Sequence, residues 1–220
     1  MLHFLAVNLN HYSMQDDEVL CNYQKGEERG VTLLRQLKTF APEEVTEEIA
    51  AQIIDELKHD RLFSGRLKDL DIDCFGMNHS LEAVYDLAQE CVDRKDWIQS
   101  ITIQTVIEEL AMATFTDHLQ ELDPATQEVL REIIHDEARH LAFGVRELSK
   151  IAKGNEAKIK QIHLRVLEIF IATLKDKRFT KDQIGRMNKT VVKAYTMHKT
   201  RLSRIGIKIP TVKEALFTHH

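Results

Sequence analysis

Residues that interrupt a chain are scarce in this sequence. Its 220 residues include only 8 Gly and 3 Pro, and no stretch rich in Gly, Pro or Ser divides them. Both residues are unfavourable inside helices, so the composition favours an all-α fold. The length favours a single domain over residues 1–220. The longest apolar runs are a few residues, far short of the roughly 20 that span a bilayer, so we expect no association with a membrane.

Cysteine is scarce as well. Cys21, Cys74 and Cys91 are odd in number and lack the spacing of a zinc site. We therefore expect no disulfide framework and a reducing, cytoplasmic location; the N-terminus also lacks the basic segment of a signal peptide. The 30 Lys and Arg stand against 35 Asp and Glu, a net charge of −5, which argues against nucleic-acid binding through phosphate contacts.

The most informative stretch is Asp136–His140, which has the sequence Asp-Glu-Ala-Arg-His. On a helix, Glu137 and His140 are neighbours on one face. The apolar residues that recur at helical spacing on either side indicate that this face points to the core. A charge buried there needs a partner or a metal ion. Asp136 is suited to accept the ring N–H that a metal-bound histidine leaves free.

The same pattern occurs earlier, at Asp55–His59. Glu56 and His59 again share an apolar helix face, and Asp55 takes the place of Asp136 as the expected acceptor. A further Glu-x-x-His, Glu132–His135, lies off the apolar stripe and is the copy expected by chance. Two copies in one context predict a metal site, and the competing interpretation is a pair of satisfied core histidines.

Two more carboxylates share apolar stripes with core residues. On the first helix we prefer Glu27 to Glu28, because Glu28 aligns with a more polar side. On the third bundle helix we prefer Glu108 to Glu109, which faces inward only if the helix is rotated. Each preferred Glu precedes a Glu-x-x-His by 29 residues. Each half of the chain therefore predicts a helical hairpin with the same ligands.

Helix signals divide the chain into a bundle of about 16–152, C-terminal helices of about 156–204 and a lead-in over residues 1–15. Asp123 and Pro124 mark a helix start as N-cap and N1. The break at 93–96 leaves open one irregular helix or two. The expected helices run over 16–38, from Pro42 to Ser64-Gly65, 80–91, 97–122, 124–153, 156–174 and 181–203, with a loop at 66–79 and an extended tail from Ile205.

Collected in order, the predicted ligands resemble those of the ferritin-like superfamily, whose four-helix bundle binds two metal ions with this pattern. The stretch Asp136–His140 is similar to the motif of its oxygen-activating members, such as bacterial multicomponent monooxygenases and ribonucleotide reductase small subunits. The resemblance covers roughly residues 16–148. The predicted metal ligands are Glu27, Glu56, His59, Glu108, Glu137 and His140, supported by Asp55 and Asp136.

The resemblance implies a ferritin-like four-helix bundle with additional helices at both ends and two Fe ions, with Mn as the alternative. It implies an O2-dependent monooxygenase or oxidase that acts on a small organic substrate and takes electrons from a separate donor. A ferritin-like or rubrerythrin-like metal-handling or peroxide-scavenging protein is the alternative, and a helical interaction module with a vestigial site is a third interpretation. The C-terminal helices cover the bundle, form a homodimer contact or provide a docking surface for a reductase.

Some residues near the predicted site have two interpretations. Tyr23 is one turn from Glu27 and is either redox-active or, more commonly for an aromatic residue, part of the core. His118 and His163 are candidates for a third histidine ligand, although neither lies in a matching motif. Arg139 is expected to pair with an Asp that holds a ligand, or to be an ordinary surface residue. Candidates for a substrate cavity, also interpretable as core, are Leu110, Met112, Phe115 and Phe143.

Overall fold

The architecture is taken from a computed structural model, which describes residues 14–74, 76–174 and 181–210. Over these residues the chain forms α-helices and one short 3₁₀ turn, without strands, so the predicted all-α class is confirmed. The lead-in over residues 1–13 lies outside the described part. The elements are α1 (Met14–Lys38), the 3₁₀ turn (Glu43–Val45), α2 (Thr46–Asp69), α3 (His79–Asp93), α4 (Trp97–His118), α5 (Pro124–Ile151), α6 (Glu156–Leu174) and α7 (Lys181–Arg204).

Four of these helices form two hairpins. Helix α1 packs along α2 and helix α4 packs along α5, and α2 and α5 join the two hairpins into a bundle. Helix α3 lies against α1 and α4, while α6 and α7 cover α4. Each hairpin therefore brings one of the sequence repeats to the inside of the bundle, where the two repeats face each other.

Apolar layers enclose the middle of the bundle. One layer contains the aromatic residues Tyr23, Phe63 and Phe115, with the Tyr23 ring centroid 5.3 Å from that of Phe63 and 4.6 Å from that of Phe115. The layer on the other side contains side chains from all four bundle helices. These are Leu34, Ile49, Ile101 and Phe143. Because the polar positions lie between these layers in all four helices, they are shielded from water on both sides.

Several helix ends follow the expected chemistry. The Asp123 side chain accepts hydrogen bonds from the backbone N–H groups of Ala125 at 3.0 Å and Thr126 at 3.3 Å, with Pro124 in the first turn of α5. The Asp96 side chain likewise caps α4, so the break before it separates two helices.

Helix α2 differs from its prediction at both ends. A 3₁₀ turn follows Pro42, and the α-helix continues through Gly65 to Asp69. Gly65 is exposed, and a Cβ built on it would meet no other atom within 4 Å, so it costs only its helix propensity of about 1 kcal/mol. Leu67 is buried just beyond it, and burial of this side chain favours a further helical turn.

The prediction of no disulfide was wrong. Cys21 on α1 and Cys74 in the segment before α3 form a disulfide bond, and Cys91 is buried and free. An odd number of cysteines leaves room for one pair, and this pair becomes visible only when the segment after α2 folds back onto α1. The argument for a reducing, cytoplasmic location rested on unpaired cysteines and therefore no longer holds.

The C-terminal tail packs back on the bundle as far as residue 210. Ile207 and Ile209 are buried, and the Tyr195 hydroxyl donates a hydrogen bond of 2.6 Å to the carbonyl oxygen of Pro210. In the described part of the chain, no helix is long and apolar enough to cross a membrane.

Candidate metal centre

The structure brings all six predicted ligands together in the middle of the bundle. Each is at most 6% exposed, although all are ionisable. They form two adjoining groups in which the possible ligand atoms lie within 4.8 Å of one another. The first group is Glu27, Glu56, His59 and Glu137, and the second is Glu56, Glu108, Glu137 and His140.

The two groups share Glu56 and Glu137. The Nδ1 atom of His59 lies 3.2 Å from Oε1 of Glu137, while Nδ1 of His140 lies 3.2 Å from Oε1 of Glu56. The carboxylate from each repeat therefore faces the histidine of the other repeat. Carboxylates placed between two clusters in this way are suited to bridge two cations.

The structure distinguishes the two pairs of adjacent glutamates between which the sequence left a choice. Glu28 is on the surface, where it forms an ion pair with Lys25 at 2.8 Å, and Glu27 faces the cluster. Glu109 is buried but turned away from the cluster. It accepts hydrogen bonds from Arg201 on α7, at 3.0 and 3.3 Å. Glu109 thus fastens α7 to α4, and Glu108 is the carboxylate directed inward.

The other ring nitrogen of each histidine faces an aspartate. The Nε2 atom of His59 lies 3.3 Å from Oδ2 of Asp136, and Nε2 of His140 lies 3.1 Å from Oδ2 of Asp55. An ionised carboxylate accepts hydrogen bonds and cannot donate one, so Nε2 of both rings carries the hydrogen. Nδ1, turned towards the glutamates, has no hydrogen-bond partner in either ring. These orphaned buried nitrogens are the atoms that a metal ion would engage.

Cations outside the cluster hold the two aspartates. Arg139 donates to Asp136 at 2.5 Å and to Asp55 at 3.1 Å, and Lys58 forms a further ion pair with Asp136. Of the two roles considered for Arg139, the structure shows pairing with both aspartates. These contacts keep the pKa of Asp136 below its usual range despite its burial, which alone would raise it.

Protons balance the charge of the cluster when no metal is bound. Burial raises the pKa of Glu27 and Glu108, and repulsion from neighbouring carboxylates adds to this effect. Burial alone would lower the pKa of His140, but the nearby carboxylates of Glu137 and Glu56 raise it to about 12. The pKa of His59 is raised in the same way.

The raised pKa values of two glutamates and of both histidines show that the pocket favours bound protons when no metal is present. Divalent cations would displace such protons and balance the negative charge of the glutamates. The donor set also fits such ions, because oxygen and imidazole ligands without thiolate suit iron or manganese. Buried carboxylates and histidines of this chain can therefore hold metal ions.

A cavity of about 270 Å³ adjoins the cluster. Its volume is near the lower end of the roughly 300–1,000 Å³ that is usual for ligand pockets. Its wall includes four of the clustered glutamates and a larger set of apolar side chains. The apolar members are Val19, Leu81, Ile107, Leu110, Ala111, Phe115, Phe170 and Val191. The arrangement offers an apolar molecule access to the glutamates.

The sequence allows several residues to be interpreted as either cavity wall or core. Leu110 and Phe115 line the cavity as expected, whereas Phe143 is packed in the core. Tyr23 lies in an aromatic layer and also lines the cavity, where its hydroxyl is 2.5 Å from Nδ1 of His118. Burial raises the pKa of Tyr23, so its hydroxyl stays protonated.

His163 does not reach the cluster. Its Nδ1 is 2.7 Å from the carbonyl oxygen of Ile159, and its Nε2 is 2.9 Å from Nε2 of His198. The ring therefore joins α6 to α7. Met112 is not among the cavity-lining residues of the described chain.

Gln104 and Tyr85 are among the polar residues of the cavity wall that sequence reasoning missed. Gln104 donates a hydrogen bond of 2.5 Å to Oε1 of Glu108, and its position four residues before Glu108 on α4 was a usable signal. Tyr85 comes from α3, outside the repeated hairpins, and carries no such signal.

Comparison with known proteins is consistent with this fold. A family model described as ferritin-like domain, actinomycetes, matches residues 34–167, more than half of the chain. The chain belongs to this family. The matched range includes five of the six clustered side chains, and Glu27 joins them through the structure alone. No curated protein matches the ferritin-like chain with significance.

Solved structures extend the likeness to nearly the whole ferritin-like chain. One is a protein from Synechococcus described as protein 19 with aldehyde deformylating oxidase activity. It superposes with a TM-score of 0.78 and 17% sequence identity, over 96% of this chain and 97% of the other. At that identity the likeness shows the fold, and the predicted ferritin-like bundle is confirmed.

Proposed function

We propose that this ferritin-like protein is a non-haem di-iron oxidoreductase that uses O2 to oxidise or hydroxylate a small organic substrate. The observation that carries the proposal is the apolar cavity lying against two adjoining groups of carboxylate and imidazole ligands. When bound, two Fe(II) ions supply two electrons for the reduction of O2. A separate electron donor then returns the two electrons to the iron ions. The metal-binding residues are Glu27, Glu56, His59, Glu108, Glu137 and His140.

The residues of the chain orient the metal-binding side chains, shield them from water and bind the substrate. Asp55 and Asp136 fix the rings of His140 and His59 so that Nδ1 of each faces the glutamates. The apolar layers on both sides exclude water from the centre, which strengthens the electrostatic interactions inside it. The cavity wall binds the apolar part of the substrate next to Glu27 and Glu108.

The substrate class follows from the cavity. An apolar wall with a few polar groups suits a mainly apolar molecule that carries one polar end. The Synechococcus protein of the same fold has an oxidase activity on aldehydes, and a medium-length aldehyde is therefore the first substrate to try. The alternative of metal storage or peroxide scavenging gives the cavity no role, which favours the oxygenase.

Iron binding and reaction with O2 test the proposal together. Protein loaded with Fe(II) without oxygen should bind about two irons per chain and, on mixing with O2, show a transient visible absorption in stopped-flow measurements. Glu56→Ala and Glu137→Ala should each abolish stoichiometric binding, since both residues belong to both groups. Retention of two irons by both variants, or failure of the wild type to bind iron, would refute the site.

Particle size separates the two functions. The oxygenase is proposed to be a monomer or a homodimer, as light scattering can establish. A cage of 24 subunits would instead support iron storage and end the case for a substrate cavity.

A further inference from the structure

The cavity wall contains a buried phenol with an unused hydroxyl group. Tyr85 is 6% exposed and lines the cavity from α3. Its ring contacts the Arg29 guanidinium at 5.6 Å from the centroid, and no described residue forms a hydrogen bond with its hydroxyl. A hydroxyl that lines a cavity and has no partner within the protein can form a hydrogen bond with a bound ligand. Tyr85 therefore stands out among the lining residues.

Other polar side chains of the inner wall are already engaged. The hydroxyl of Tyr23 is bonded to His118, and the amide of Gln104 donates to Glu108. Thr114 donates to the carbonyl oxygen of Leu110 at 2.7 Å, and Thr190 donates to Asp117 at 3.0 Å. None of these donors can turn to a ligand without losing a hydrogen bond that it has.

The hydroxyl of Tyr85 lies beside the metal-binding cluster. A Cβ built on Gly26 would be only 3.1 Å from the hydroxyl oxygen, so this atom rests against the α1 backbone next to Glu27. Burial raises the pKa of Tyr85 well above its usual value near 10, and the charges of the clustered glutamates act in the same direction. The group is therefore a neutral O–H donor at physiological pH.

We infer that the Tyr85 hydroxyl binds the oxygen atom of the substrate and so holds its polar end beside the metal centre. The inference rests on the proposed function, because it assigns a role in binding the organic substrate. Tyr85 is a specificity-determining residue: it selects apolar molecules that carry a hydrogen-bond acceptor, such as a carbonyl oxygen, over hydrocarbons of the same shape. A site with a buried donor rejects an analogue that leaves the donor unpaired.

Two probes of equal shape separate this role from general packing. One is 2-heptanone, and the other is 2-methyl-1-heptene, in which a CH2 group replaces the carbonyl oxygen. Affinities of the Fe(II)-loaded protein without O2, and of the protein as isolated, can be measured by headspace partition. The ratio of ketone affinity to alkene affinity in wild type is the reference. Tyr85→Phe should weaken ketone binding by about 3- to 10-fold, the worth of one neutral hydrogen bond, and leave the alkene affinity unchanged.

Tyr23→Phe is the matched control. It removes a hydroxyl from the same cavity, but one that already has a partner in His118, so the ratio of the two affinities should stay at its wild-type value. Phenylalanine at position 85 keeps the ring on Arg29, and thermal melting checks that the variant is folded.

Each result of the probe experiment has one meaning. An unchanged ketone affinity in Tyr85→Phe, or equal losses for ketone and alkene, would overturn the role of Tyr85 and leave the proposed function intact. A wild-type protein that binds neither probe would overturn both. If Tyr85→Phe weakens only ketone binding and the wild type fails to react with O2, the role of Tyr85 in ligand binding stands and the oxygenase alone is refuted.

Discussion

Asp55 on α2 and His140 on α5 are joined across the bundle, with Oδ2 of the carboxylate 3.1 Å from Nε2 of the ring. The pairing is reciprocal, since Asp136 on α5 takes the same position against His59 on α2. Each Asp-Glu-x-x-His motif therefore orients the histidine of the other motif. Correct placement of either imidazole depends on the packing of both helices, which ties the metal centre to the fold.

This crossed pairing predicts the effect of removing an aspartate charge. In Asp136→Asn the amide no longer favours the ring orientation and tautomer that expose Nδ1 of His59, so Fe(II) affinity should fall by about 10- to 100-fold. Asp60→Asn is the matched control, because Asp60 is on the same helix as His59 but accepts a hydrogen bond from Gln24. Titration of both variants with Fe(II) measures the difference. Equal affinities would contradict the role of Asp136.

Adjacent glutamates on α1 provide a second test. Glu27 belongs to the buried cluster and Glu28 is on the surface with Lys25, so Glu27→Ala should lose bound metal and Glu28→Ala should retain about two ions per chain. Metal analysis of the two purified variants decides this. The reverse result would show that α1 is rotated by one residue relative to the cluster.

The pH dependence follows from the protons that the cluster holds without metal. His59 and His140 have raised pKa values, so their stabilisation of the metal-free fold is complete below the unfolded value of about 6.5 and declines as the pH rises towards the folded value, about 12 for His140. Metal must displace these protons. We expect affinity for Fe(II) to rise from pH 6 to pH 8, with proton release visible as buffer-dependent heats in calorimetry. Affinity and heats that do not change with pH would contradict this account.

The bundle and the placement of its ligands could be predicted because both follow from the periodicity of apolar residues along single helices. Glu56 and Glu137 lie on the apolar stripes of amphipathic helices, so both were predicted to be buried. The apolar stripe of the first helix likewise distinguished Glu27 from Glu28. The cap at Asp123 similarly marked the start of α5 without any tertiary information. These predictions needed only the geometry of one helix at a time.

Features that depend on two distant segments could not be predicted in this way. Helix periodicity does not tell which of two Asp residues faces which His, so the crossed contacts of Asp55 and Asp136 were missed. Tyr85 reaches the cavity from α3, whose position relative to α1 and α4 is set by tertiary packing. The disulfide between Cys21 and Cys74 likewise depends on how the segment before α3 folds back.

That disulfide predicts a measurable gain in stability. It links residues 53 apart, and its loss should lower the free energy of unfolding by about 2–4 kcal/mol, because the reduced unfolded chain has more conformations. The double variant Cys21→Ser/Cys74→Ser should melt at a lower temperature than the oxidised wild type. Reductant should destabilise wild type and Cys91→Ser alike and leave the double variant unchanged. Cys91→Ser serves as the control for reductant, since Cys91 is buried and outside the bond. A double variant as stable as wild type would contradict the predicted gain.

Because α4 and α5 are in close contact at Gly144, we expect a single added methyl group there to lower the stability of the fold. A Cβ built there would lie 2.3 Å from Oγ1 of Thr105, a distance that real side chains do not tolerate. Gly144→Ala should therefore cost about 1–3 kcal/mol through overpacking, against a gain of about 1 kcal/mol in helix propensity. Thr105→Ala should restore much of the loss, because it removes the closest atom.

The opposite sign is expected at Gly65, which is exposed on α2 with no atom near its missing side chain. Gly65→Ala should raise the free energy of unfolding by roughly 0.5–1 kcal/mol. Denaturant melts of Gly65→Ala and Gly144→Ala compare the two effects directly.

Gly144→Ala should also bind Fe(II) more weakly, since separating α4 from α5 moves Glu108 away from His140. A stable Gly144→Ala protein with full metal affinity would show that the two helices can separate without disturbing the centre.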